Sequence, residues 1–320
     1  QKALGDFKGA AESFNRALAI RAELFGKNSN DYARVLNNTA LQFLNQGDRT
    51  TALRYANQTI AIFEGLRDPD VQFHIASHNT LARVLGDMGK FQEAEIEYRK
   101  AIQMYKVEYP GSSRIRYYLI SLANNALDRD QPMEALSHFH EAMHITFNGI
   151  DPDDLKSNPS REDPSNFQSL KTLCTYKAEA WYASFLQSRD SAHPNEAMRL
   201  YDLADHFAAK NRTESRYQKS RVAYSRQNLS LYQGAIETAQ QLLIQTGDAA
   251  YLEKAFLYSE KSKSLTLLED LLEASALNSS GLSKEFLDRE KSIQDSIASL
   301  RSSLLKQFIR VMILIFTIRK

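Results

Sequence analysis

Apolar and small residues recur along this chain at helical spacing, and one helix-pair pattern is written twice, from Ala33 to Ile60 and from Ile75 to Ile102. With Gly47 set against Gly89, Ala40 falls on Ala82, Ala52 on Ala94, Ala56 on Tyr98 and Thr59 on Ala101, a spacing of 42 residues. Gly5 stands the same distance before Gly47 and opens the same order of slots through Ala10, Phe14 and Ala17. A fixed period of this length marks stacked helix pairs, each too small to bury its apolar face alone. The expected fold is all-α, a right-handed α-solenoid of helix-turn-helix repeats closed by a long terminal helix.

The pattern predicts a helix over 7–25, whose own partner would lie before Gln1, and then pairs at 31–46 with 49–66 and 70–87 with 91–108. Gly47 and Gly89 stand where the first helix of each pair reverses, a left-handed position that glycine fills without strain. A further pair, 113–128 with 132–147, keeps Ala123, Ala135, Phe139 and Ala142 in the slots, but Asp130 replaces the glycine and the period slips to 41. Residues 148–166 hold three prolines and read as a long loop interrupting the array. A fifth pair follows at 167–188 with 194–210, carrying Ala197, Tyr201 and Ala204. Residues 213–245 read as one helix or two halves meeting near Gly234, and 249–276 as another helix. The array therefore spans 1–276, with repeats near 1–30, 31–69, 70–110, 113–148, 167–211 and 213–276. An amphipathic helix is expected at 282–307, and 308–320 reads as an apolar tail cut short, too brief to span a bilayer.

Hydrophobic residues make up 43 % of the chain and charged ones 25 %, a balance that suits a folded chain. Lys and Arg number 40 against 39 Asp and Glu, so no global field favours nucleic acid or a membrane surface. The single cysteine, Cys174, rules out an internal disulfide framework and points to a reducing compartment, the cytoplasm. The chain opens at Gln1 inside a pattern and without an initiator Met, which predicts a piece of a longer protein.

The pattern G-D/K-x-x-x-A-x-x-x-F/Y-x-x-A, with a small residue seven before the glycine, resembles the tetratricopeptide repeat (TPR). The 42-residue period, with L24-FGKNSNDYARVLNNTALQFLNQGD and G89-KFQEAEIEYRKAI, is similar to the longer repeats of kinesin light chains. The match is close over 5–145 and loose over 167–276. That family binds extended or helical peptides in the groove lined by the first helix of each pair. Carried onto this chain, the groove comprises Arg34, Asn37, Leu41 and Asn45, then Asn79, Arg83 and Asp87, then Tyr117, Asn124 and Asp128. Asn37 and Asn79 stand one period apart, where amides can both donate to and accept from a peptide backbone. Chaperone-binding members place Lys at that slot, so a carboxylate clamp is not expected. A second resemblance, from T246-GDAAYLEKAFLYSEKSKSLTLLEDLLEA to Leu304, is to the repeat arm of bacterial proteins carrying a caspase-like CHAT protease domain. No segment with a paired His and Cys follows, so no catalytic residue carries over.

Three features carry candidate chemistry. H140-EAMH is a literal zinc-protease motif, in which two His one helical turn apart ligate zinc and the Glu acts as base. The repeat register places His140 and Glu141 at solvent-facing positions, as sister repeats place Asn57 with Gln58 and Arg99 with Lys100; His138 adds at most adventitious metal binding. Cys174, with no His in its helix, reads as core, as do Trp181, Tyr182 and Tyr201. N-x-S/T occurs at Asn37, Asn57, Asn211, Asn228 and Asn278, all in or beside helices, which argues against glycosylation.

These readings converge on a non-enzymatic scaffold that binds a peptide or protein in the inner groove, with no cofactor, nucleic acid or membrane partner. The alternatives are a regulatory arm for a CHAT-type protease domain of the same polypeptide and, more remotely, a zinc hydrolase using His140, Glu141 and His144.

Overall fold

The computed structural model describes residues 7–163, 166–214, 218–263 and Ser292. It divides into a unit of residues 1–260 and a second of 261–320, and the description below concerns the first. The expected helix at 282–307, the tail at 308–320, Gly5 and the continuation of the helix beyond 263 lie outside the described residues.

Every described element is helical: α1 Phe7–Phe25, α2 Asn30–Asn45, α3 Arg49–Gly65, α4 Val71–Asp87, α5 Phe91–Glu108, α6 Arg116–Asp128, α7 Pro132–Thr146, α8 Phe167–Ser188, α9 His193–Glu214 and α10 Gln218–Thr246. An eleventh helix, α11, occupies 249–263. A 3-10 turn, Ser113–Ile115, forms the predicted start of α6, because the Ser112 hydroxyl accepts from the amide of Arg114 and tightens that turn. Asp48, Asp70 and Asn166 cap α3, α4 and α8 by accepting from amides in the first turn, which satisfies donors no helical carbonyl can reach.

Each pair reverses at a residue of positive φ: Gly47 (82°), Gly89 (76°), Asp130 (55°), Arg189 (61°) and Gly247 (70°). Asp130 thus takes the left-handed role of the missing glycine, as Asp tolerates better than most residues. Ala33, Ala40, Ala52, Ala82, Ala94, Ala123 and Ala135 have no exposed surface, so paired helices approach closely at the predicted small slots. Phe63, Phe139 and Tyr201 are buried among them as the large members of the core. First helices of successive pairs also touch (α2 with α4, α4 with α6, α8 with α10), more closely than second helices do. Closer packing on one side bends the stack and makes the first-helix face the concave one.

Gly234 does not break α10, which runs unbroken through it. The glycine is needed by its neighbour instead: a Cβ there would lie 2.2 Å from the hydroxyl oxygen of Tyr201. Helix α11 packs back on α9, with Tyr258 donating to Asp202 at 2.5 Å and Lys254 pairing with the same carboxylate.

Residues 148–163 are not a free loop. Ile150, Pro159 and Asp163 are buried, and the segment straps α7 to α8 and α9. The Lys177 ammonium, fully buried on α8, donates to His140 Nδ1 (3.1 Å), the Ser157 carbonyl (2.8 Å) and Asn158 Oδ1 (2.9 Å). Three acceptors for three protons is what keeps a buried ammonium tolerable. Further along, His206 and Lys210 of α9 donate to the carbonyl of Arg161.

The strap overturns one expectation. His140 is 2 % exposed, not solvent-facing, because the register of α7 alone does not record what a distant segment lays across it.

Candidate functional site

The left-handed reversals give a common ruler for the first-helix face. Two residues before them stand Asn45, Asp87 and Asp128; six before, Leu41, Arg83 and Asn124; ten before, Asn37, Asn79, Ile120, Glu179 and Glu237. Side chains at one ruler mark lie on adjacent helices, one repeat step apart.

In α2, α4 and α6 these marks converge on a depression of about 580 Å³ lined by Leu44, Asn45, Arg83, Gly86, Asp87, Ser121, Asn124, Asn125 and Asp128, with Phe91 and Tyr98 from α5. Five of the ten expected groove residues meet here: Asn45, Arg83, Asp87, Asn124 and Asp128. The other five do not line it. Arg34 stacks its guanidinium on Phe73 at 4.3 Å, Leu41 is half-buried, and Tyr117 is exposed with its hydroxyl bonded to Arg116. The amide ladder lies deeper than a contact surface should. Asn37 is 6 % exposed and Asn79 half-buried, and the Oδ1 of each lacks a partner among the described residues.

Charge in the depression is unevenly satisfied. Asp87 is served from the edge by Arg49, whose Nε lies 2.6 Å from its carboxylate and also reaches its backbone carbonyl. Burial raises the pKa of Asp128, and no ion pair among the described residues offsets it. The neighbouring Arg129 is paired instead with Glu95 and Glu134. Among the described residues Arg83 makes no ion pair either. Tyr98 sits in the field of both, and burial pushes its pKa up to about 12, with Asp128 adding to the rise and Arg83 opposing it.

Tyr98 and Asn125 were missed by the sequence reading. Tyr98 occupies the large slot of α5 and so reads as core, yet it lines the inner face between Arg83 and Asp128. Asn125, only 3 % exposed, ties α6 to the start of α5 by donating Nδ2 to the Phe91 carbonyl at 3.1 Å. No sequence signal distinguishes it from Asn124.

The histidine motif is committed to the strap. His140 donates from Nε2 to the Asp151 carbonyl (2.8 Å) and accepts Lys177 at Nδ1, while His144 donates from Nδ1 to the Ile150 carbonyl (2.8 Å). Burial, then the Lys177 charge, lowers the His140 pKa. Glu141 pairs with Lys106 at 3.0 Å. Among the described residues no three His, Cys, Asp or Glu side chains are placed to hold a metal ion. Cys174 is free and buried, and burial pushes its thiol pKa up, the reverse of what a nucleophile requires. Among the described residues no helix is long and apolar enough to cross a membrane.

The tetratricopeptide-repeat family model matches residues 2–65 and 41–107. No curated protein matches the sequence. Among solved structures, BtubC (BKLC) from P. vanneervenii is similar at a TM-score of 0.58 and 12 % identity, over 84 % of this chain and 93 % of that one. A kinesin light chain of Podosopora anserina with nearly identical TPR-like repeats gives 0.51 and 20 %, over 66 % and 91 %. The apo form of RapI gives 0.50 and 12 %, over 84 % and 93 %. At these identities the structures speak to the fold alone, and the family model speaks to the repeats. Together with the 42-residue period and the reversals at Gly47, Gly89 and Asp130, they show tetratricopeptide repeats within residues 2–107 and an α-solenoid fold among the described residues.

Proposed function

We propose that the chain is an interaction scaffold and that the depression across α2, α4 and α6 seats an extended segment of a protein partner. The observation that carries this reading is the convergence of Asn45, Arg83, Asp87, Asn124 and Asp128 from three repeats on one concavity. Amides and unpaired charges spaced by a repeat step suit a partner whose backbone runs across the helices. The array offers rigidity, so little ordering of the scaffold opposes binding. A single buried thiol accords with work in a reducing compartment, and we place the protein in the cytoplasm.

The test is selection of a random-peptide display library on the wild-type protein, followed by binding of the selected peptides to an Arg83→Ala/Asn124→Ala variant. Arg83 is exposed and Asn124 half-buried at the inner face, so the melting curve should hold while affinity falls about tenfold or more, roughly 1.4 kcal/mol. Equal affinity for both proteins would place the partner elsewhere. A second proposal, service as the arm of a CHAT-type protease, is supported only by the phrase that follows Thr246. Reading the coding sequence beyond Lys320 tests it: an α/β segment bearing one His and one Cys favours it, and its absence removes it.

A further inference from the structure

We infer that the partner inserts a basic side chain, Lys or Arg, at the Asp87–Asp128 end of this depression; the inference rests on the groove reading above. Three first helices terminate at this edge, α2 at Asn45, α4 at Asp87 and α6 at Asp128. Helix C-termini carry about half a unit of negative charge each and favour cations. Two of the three also end on a carboxylate. Among the described residues Asp87 has one paired cation, Arg49, approaching from outside the depression, and Asp128 has none, since Arg129 pairs with Glu95 and Glu134.

The second observation is independent of charge. Asn125 lines the same depression, is almost wholly buried, and donates its Nδ2 to Phe91, leaving Oδ1 with no partner among the described residues. A buried amide oxygen without a donor is costly, so the site is short of donors. The floor beside that oxygen is Gly86, where even a Cβ would come no closer than 3.9 Å. An ammonium or guanidinium supplies what is lacking, namely several N–H donors on one positive group. An acidic partner would meet two carboxylates and three carbonyl ends, with only the Arg83 guanidinium in its favour.

Peptides selected on the wild-type protein should share a Lys or Arg at one position. Replacing that residue by Met should weaken binding to the wild type about tenfold and weaken binding to an Asp87→Asn/Asp128→Asn variant clearly less, because both carboxylates it answered are gone. Wild-type affinity should also fall as salt rises, a readout that does not depend on any variant folding. Selected peptides with no basic position, or equal losses on both proteins, overturn the basic-residue assignment; continued dependence on Arg83 and Asn124 then preserves the groove reading. If no selected peptide depends on Arg83 and Asn124, both fail.

Discussion

At Gly47, Gly89 and Asp130 the second residue of the next helix approach donates back across the turn: the amides of Asp48, Lys90 and Gln131 reach the carbonyls of Phe43, Leu85 and Ala126 at 3.0, 2.9 and 2.9 Å. At Arg189 and Gly247 the closure is shorter in reach, the left-handed residue itself donating to Phe185 and Leu243 at 2.8 Å. These are the two standard ways of ending a helix on a left-handed residue. The earlier pairs therefore share one local device and one spacing. The later pairs carry a strap, a continuous α10 and a longer connection into α9, and their geometry depends on contacts far apart in sequence. The inner face changes with them: ten residues before the reversal the amides Asn37 and Asn79 give way to Glu179 and Glu237, and burial raises Glu179 to about 7.

The most severe single lesion lies in the later half. Gly234→Ala puts a Cβ 2.2 Å from the Tyr201 hydroxyl oxygen and 2.7 Å from Cζ, and Tyr201 is 1 % exposed and has nowhere to move. Overpacking of this kind costs about 3 kcal/mol, the upper end of its usual range. Tyr201→Phe should not rescue it, since the ring carbon still collides, whereas Tyr201→Leu should in part. An unchanged urea midpoint in the single variant would show that α9 and α10 do not meet as described.

In the earlier half the equivalent lesion is milder. Ala52 and Ala94 have no exposed surface, and Ala52→Leu or Ala94→Leu should each cost about 1–3 kcal/mol by thermal or urea unfolding. Because the two sites are one repeat apart, on α3 and α5, the double variant should show nearly the sum. Melting unaffected by both would refute the register.

A smaller effect should appear with acid. His74, His138 and His140 all have pKa values lowered first by burial. Their folded values lie below the unfolded value of about 6.5. The unfolded chain then binds these protons first, so their contribution is present above that pH and is lost as pH falls below it. For His140 the loss has a visible place. Protonating Nδ1 sets its proton against the Lys177 ammonium, and limited proteolysis within 148–163 should quicken between pH 7 and pH 5. Cleavage indifferent to pH over that range would show that His140 does not hold the strap.

How far the sequence could be read follows from this contrast. The pairs, their closing glycines and the substitution at Asp130 were legible because each is written within a few residues. The groove edge was legible too, since Asn45, Asp87 and Asp128 share one distance from a reversal. Burial of His140 was not, because the segment covering it arrives through Asp151, Ser157 and Asn158 by way of Lys177. Nor was the reach of Tyr98 to the inner face: its slot specifies a large residue, and only the spacing of α4 and α6 decides that it emerges between Arg83 and Asp128. Gly234 was legible only as a choice between one helix and two halves, since a helical glycine suggests a break and the sequence does not show which neighbour requires it; one unbroken helix forms.

The gentlest test returns to the reversals. Asp130 and Arg189 hold positive φ without being glycine, whereas Gly47 and Gly89 hold it freely. A left-handed residue with a side chain carries about 1–2 kcal/mol of strain, least for Asp and Asn and more for Arg. Glycine relieves that strain but adds freedom to the unfolded chain, offsetting about 0.4–1 kcal/mol. Arg189→Gly should therefore stabilise the array by about 0.5–1 kcal/mol, and Asp130→Gly by less, in urea unfolding. The order of the two is the informative part. Asp130 closes with the same cross-turn bond as its glycine neighbours, so its backbone is already the one the regular half uses, and little remains to gain. If Asp130→Gly proves the more stabilising, the strain lies in the shared reversal rather than in the residue. The sequence period would then owe its glycines to relief of that strain and not merely to permission.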